Sequence, residues 1–76
     1  MYNTEHGQSE YGREYARCAP IFRQMWQQRP FELCGWALQD IHNTLKGREM
    51  DGYTGRLYAE LDAVRDRMMV LKRDAS

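Results

Sequence analysis

Apolar positions recur at helical spacing in three stretches of the chain. The first runs through Tyr11, Tyr15, Cys18, Phe22 and Met25, at spacings of 4, 3, 4 and 3. The second runs through Phe31, Cys34, Leu38, Ile41 and Leu45, and the third through Leu57, Leu61, Val64, Met68 and Leu71. Each is the stripe of a helix that buries one face. No Val/Ile/Thr-rich alternating run suggests a strand. The expected fold is therefore all-α: a small three-helix bundle, or a helical hairpin that completes its core by dimerising. Short connections favour antiparallel neighbours.

Punctuation sets the expected boundaries. Residues 1–8 are polar and aperiodic and read as a flexible tail. Residues 9–76 then form a single helical domain, with Ser9 as a candidate N-cap. The helices are expected at about 9–28, 30–46 and 54–73. Pro20 falls inside the first, where proline costs about 3 kcal/mol. That helix either kinks there or splits into two pieces sharing one face, and the split is preferred. Pro30 suits the first turn of the second helix, and Gly47 its C-terminal stop. Gly35, inside that helix, suggests close approach of another backbone. Thr54 reads as the N-cap of the third helix, with Tyr53 and Tyr58 as a hydrophobic staple.

Off the stripes lies a second set of residues. Trp36 points almost opposite the apolar face of the second helix, and Leu33 lies off to that side. On the third, Tyr58, Asp62, Arg65 and Met69 form another line at helical spacing. Ile21 and Trp26 flank the stripe of the first. Trp, Tyr, Met and Arg are enriched at protein interfaces. Trp36, Leu33, Tyr58, Arg65 and Met69 are thus the candidate partner-binding residues, with Trp26 a lesser one that a wide core stripe would absorb.

Charge narrows the choice of partner. The 76 residues carry eleven basic and eleven acidic side chains, a net charge of zero. The bases are nine Arg and two Lys, interleaved with acids in the first and third helices. No face carries the basic excess that phosphate backbones require. A small helical DNA-binding regulator, with the third helix as reader, is the alternative this pattern speaks against. Asp62 and Asp66, with Arg65 and Arg67 beside them, read as a solvated salt-bridge surface. No apolar run reaches the ~20 residues of a membrane span. No basic-then-apolar leader opens the chain, so a cytoplasmic setting with reduced thiols is expected.

Candidate chemistry is sparse. His6 and His42 stand apart, and no paired Cys or His spacing suits a metal; no cofactor is expected. In an antiparallel hairpin of the first two helices, Cys18 would face Ile41 and Cys34 would face Met25, which separates the thiols too far for a disulfide. The same register brings Cys18 near His42, a nucleophile pair without an orienting third group. The expectation is a non-enzymatic interaction module that docks on a larger protein and blocks it sterically, with a homodimer as its assembly. Very small, Arg-rich chains without a catalytic constellation are frequent among phage and mobile-element inhibitors of host proteins, anti-defence inhibitors included. That association rests on size and on no motif.

Overall fold

The computed structural model describes the backbone of residues 3–75 and the side chains of residues 9–75. Three α-helices make up the fold: α1 Asn3–Trp26, α2 Phe31–Leu45 and α3 Gly52–Ala75. No strand occurs among the described residues. The all-helical expectation holds.

The packing differs from a closed triangular bundle. α3 packs against both α1 and α2, while the α1 and α2 backbones stay apart. Tyr11 lies against Gly55, Tyr15 against Asp62 and Arg23 against Asp66, so α1 and α3 run parallel. α2 returns between their opposite ends through the connections 27–30 and 46–51. The expected α1–α2 hairpin is therefore not the packing unit. Its register, with Cys18 opposite Ile41 and Cys34 opposite Met25, does not form.

A middle helix must be buried on two sides, and α3 meets this with two kinds of surface. Its large residues Leu61 and Val64 are buried, with Leu57, Met68 and Leu71 half-buried. Round the helix, Gly55, Ala59 and Ala63 are buried as well. They recur every four residues, one turn apart, and their small size lets α1 come close. The packing centre is Trp26, Cys34, Ala63 and Val64, one residue from α1, one from α2 and two from α3. Phe22, Leu38, Met68 and Leu71 pack around it.

On α1 the inward line is Tyr11, Tyr15, Cys18, Phe22 and Trp26, with Cys18 and Trp26 buried and the others half-buried. Trp26 takes the place expected for Met25, which is 44% exposed. The helix begins at Asn3, so Ser9 lies inside it and does not cap it. Once a helix is nucleated by packing, adding residues at its end costs little, which accounts for the longer element. Residues 3–8 thus continue the helix where a tail was expected; residues 1 and 2 lie outside the described residues. Pro20 sits within the continuous helix, so the split into two pieces does not occur. The proline is exposed, and the tertiary contacts of Cys18, Phe22 and Trp26 on either side offset its cost.

The caps follow the same logic. Pro30 takes the N-cap position of α2 instead of its first turn, and its carbonyl accepts from the Leu33 and Cys34 amides at 3.1 and 3.4 Å. Gly47, at φ 75°, supplies the left-handed residue that stops α2 as expected. α3 is capped by Asp51 and not by Thr54. The Thr54 amide donates to Asp51 Oδ1 at 2.9 Å, and the Asp51 amide donates to Thr54 Oγ1 at 2.8 Å. This is a reciprocal capping box, in which Thr54 supplies the third helical residue. The Tyr53–Tyr58 staple is accordingly absent: Tyr53 lies under the Arg48 guanidinium, and Tyr58 meets Tyr11.

Gly35 is exposed, and a Cβ added there meets nothing within 4 Å. It does not mediate a backbone contact, contrary to the reading of the sequence. Gly35→Ala is expected to raise stability by about 0.5–1 kcal/mol, through helix propensity alone. Thermal denaturation followed by circular dichroism measures this; a loss of stability would reveal a contact of Gly35 outside this fold.

Candidate functional site

The candidate residues divide into three groups by environment. Trp26 belongs to the core. It is 3% exposed, its indole N–H donates to Glu60 Oε2 at 3.2 Å, and the Arg29 guanidinium lies 4.6 Å from the ring centroid. Arg67 Nε donates to the Arg29 carbonyl at 2.9 Å, closing the turn over this end of the molecule. The side chain of Trp26 therefore leaves the set of surface candidates.

Tyr58 forms part of the seam between α1 and α3. Its ring lies 5.8 Å from that of Tyr11 and tilted against it, and it is 39% exposed. Asp62, next on that line, accepts a hydrogen bond from the Tyr15 hydroxyl. Asp66 meets Arg23 across an exposed 3.7 Å ion pair. The carboxylates read as a solvated surface thus tie α1 to α3, and Asp62 is half-buried.

Trp36, Leu33, Met69 and Arg65 form the third group and are exposed. Trp36 is 72% and Met69 69% exposed, the two highest values among the large apolar side chains described. Trp36 lies on α2 about 160° round from Cys34, which is buried against α3. Met69 and Arg65 are neighbours one turn apart on α3. Tyr58 stands eleven residues before Met69, about 16 Å along the axis. The sequence-derived set is therefore not one contiguous patch: Trp36 and Leu33 mark the outer side of α2, while Arg65 and Met69 mark an exposed side of α3. Ile21, which flanks the first stripe, is exposed, and so are Met25 and Phe31, which sequence reasoning did not single out. Met25 and Phe31 had been placed in the helix stripes; their exposure follows from α2 packing on α3 instead of along α1.

Two open clefts accompany these surfaces. One, of about 380 Å³, lies between α1 and the start of α3 and is lined by Glu10, Arg13, Glu14, Tyr53 and Arg56. Its charges are mixed, and Glu14 is held below its ordinary range by the hydrogen bond from Arg17. The other, of about 310 Å³, has Trp26, Ala63 and Val70 as apolar walls and Arg23, Asp66 and Arg67 at its rim. It had no counterpart in the sequence reading, because its walls come from two helices and from residues counted as core.

The electrostatics are those of structural contacts. Both cysteines are free and buried. Burial pushes the Cys34 thiol up, against the pull of Arg67. His42 is exposed on α2. Cys18 is buried on α1, which does not pack along α2, so the register pairing it with His42 is not formed. No group of three or more His, Cys, Asp or Glu side chains suited to a metal occurs among the described residues. No described helix is long and apolar enough to cross a membrane.

The hydrogen bond to Asp62 raises the Tyr15 phenol above 10.0, with burial adding to it. Burial, then Tyr58 and Asp62, raises Tyr11. Raised folded values mean that the fold favours the neutral phenols. Their contribution is complete below pH 10 and is lost as pH rises through the folded values. Alkaline unfolding is expected to set in above about pH 10. Tyr15→Phe is expected to cost about 1 kcal/mol at pH 7 and to flatten that alkaline decline. Urea titrations at pH 7 and pH 10.5 test this; equal losses for Tyr15→Phe at both would exclude it.

No protein-family model, curated protein or solved structure matches this chain.

Proposed function

We propose that the chain is a non-enzymatic protein–protein interaction module that docks on a larger protein and blocks it sterically. The observation that carries this reading is the exposure of Trp36 and Met69 on a fold that has already packed Trp26, Cys34 and Val64 inside. Large apolar side chains held in water by ordered helices forgo burial free energy that a partner covering them would supply. Leu33 accompanies Trp36, and Arg65 accompanies Met69, supplying bidentate donors for a partner carboxylate. A small inhibitor of the kind phage and mobile elements direct at host proteins works by such means.

A photo-crosslinking residue placed at Met69 in living cells tests the proposal. The crosslinked protein is identified and purified, and its binding is measured with and without Arg65→Ala/Met69→Ala. Saturable binding, weakened at least tenfold by the double substitution and accompanied by loss of the target's activity, supports the reading. A crosslinked protein whose binding ignores the substitutions, or whose activity is untouched, overturns it.

A further inference from the structure

Tyr58, Asp62, Arg65 and Met69 are spaced 4, 3 and 4 along α3, a series that reads the same in both directions. We infer that the chain forms a two-fold dimer in which this line packs antiparallel on its own copy, Tyr58 against Met69 and Asp62 against Arg65 of the second copy. This rests on the reading of the chain as an interaction module, and it names an occupant for the Arg65–Met69 surface; a target docking there displaces the second copy.

The line is the side of α3 that the fold leaves open. Gly55 faces Tyr11 of α1, and Val64 packs with Cys34 of α2. At the turn from α1 to α2, Glu60 holds the Trp26 indole and Arg67 holds the Arg29 carbonyl. At about 3.6 residues per turn, the four residues of the line centre roughly 180° round from Glu60 and Arg67. Arg65 and Met69 are exposed, Tyr58 is exposed at the border with α1, and Asp62 is half-buried.

Complementarity selects a second copy as the occupant. A two-fold axis passing between Ala63 and Val64 pairs each member of the line with its chemical complement, so the contact is isologous and closes at two subunits. At both ends Met69 meets the open part of the Tyr58 ring, a favourable sulfur–aromatic contact. In the middle Arg65, which makes no ion pair among the described residues, meets Asp62. Asp62 accepts from Tyr15 through Oδ2, which leaves Oδ1 for that guanidinium. The outer side of α2 lacks this property: an antiparallel copy centred on Trp36 would set Glu32 against Asp40, acid on acid. Area agrees with a dimer. The elongated molecule, 49 × 23 × 16 Å, exposes 5593 Å². That is about 700 Å² more than the roughly 4,900 Å² of a compact monomer of 9.1 kDa. A standard interface covers ~800 Å² on each partner.

Sedimentation velocity on the full chain, from 1 to 100 μM at 0.15 M salt, tests this. Wild type is expected to be a dimer. Met69→Ala is expected to raise its dissociation constant at least ~10-fold and Trp36→Ala to leave it unchanged, both with unchanged helical circular dichroism. Arg65→Asp sets acid on acid and Asp62→Arg sets base on base, so each alone is expected to be a monomer. Their equimolar mixture sets two acids against two bases and is expected to form a heterodimer. Should Asp62→Arg lose its fold with the Tyr15 contact, Arg65→Asp and Met69→Ala still decide. A wild-type monomer at 100 μM overturns the inference. So does a dimer that survives Arg65→Asp and Met69→Ala, a dimer that dissociates on Trp36→Ala, or a folded mixture that stays monomeric. A wild-type monomer that still binds its target through Arg65 and Met69 leaves the module reading standing; a dimer without a target does the reverse.

Discussion

Trp26→Ala is expected to remove about 3–5 kcal/mol of stability. A chain of this length holds roughly 4–11 kcal/mol in all, so the variant sits at or below its folding threshold. The cost has several sources. The indole belongs to one buried cluster with Cys34 of α2 and Ala63 and Val64 of α3, so its loss opens a void where all three helices meet. Glu60 loses the donor at 3.2 Å, and Arg29 loses the ring face beneath it. Because the α1 and α2 backbones do not touch, little else is available to close the gap. The melting temperature is expected to fall by at least ~15 °C. Trp36→Ala removes the same side chain from an exposed position and is expected to shift stability by no more than about 0.5 kcal/mol. Circular-dichroism melts of the two variants at a concentration where wild type is monomeric make the comparison. Equal losses would overturn the assignment of one tryptophan to the core and the other to the surface.

The two tryptophans also show what the sequence made legible. The stripe of α2 is strongly periodic, so a residue opposite to it had to be outside, and Trp36 is. Trp26 lies one position beyond Met25, and a one-residue shift at the end of a helix decides which side chain is buried. Where the helix goes next settles that choice, and here it turns through Arg29 and Pro30 into a helix that leaves α1. The exposure of Met25 and Phe31 has the same cause. Periodicity establishes that a helix has an apolar face and is silent on which neighbour covers it.

Small residues account for another part of what was missed. Counting large apolar side chains finds the side of α3 that carries Leu57, Leu61, Val64, Met68 and Leu71. It passes over Gly55, Ala59 and Ala63, which bury an equally important side by allowing a backbone close. The exposed candidates Leu33, Arg65 and Met69 were visible in the sequence because they fit no stripe. The cleft walled by Trp26 was not, since it exists only once α1 and α3 are set side by side in parallel.

Gly55→Ala is the sharpest test of that parallel contact. A Cβ at this position would stand 2.4 Å from the Tyr11 carbonyl oxygen and 3.0 Å from the Tyr11 Cα. Both are backbone atoms of a helix, so no rotamer change relieves the overlap. Alanine gains about 1 kcal/mol in helix propensity over glycine. Against that, α1 must move off α3, loosening the Tyr11–Tyr58 ring contact and the Tyr15–Asp62 hydrogen bond together. The net expectation is a loss of about 2–3 kcal/mol, the upper range for an overpacked site. Gly35→Ala, with the same propensity gain and no neighbour, is expected to move the other way. The opposite signs separate backbone approach from propensity, which acts alike at both helical glycines. Equilibrium urea unfolding of both variants reads them out, and a stabilised Gly55→Ala would mean that α1 and α3 do not meet at this point.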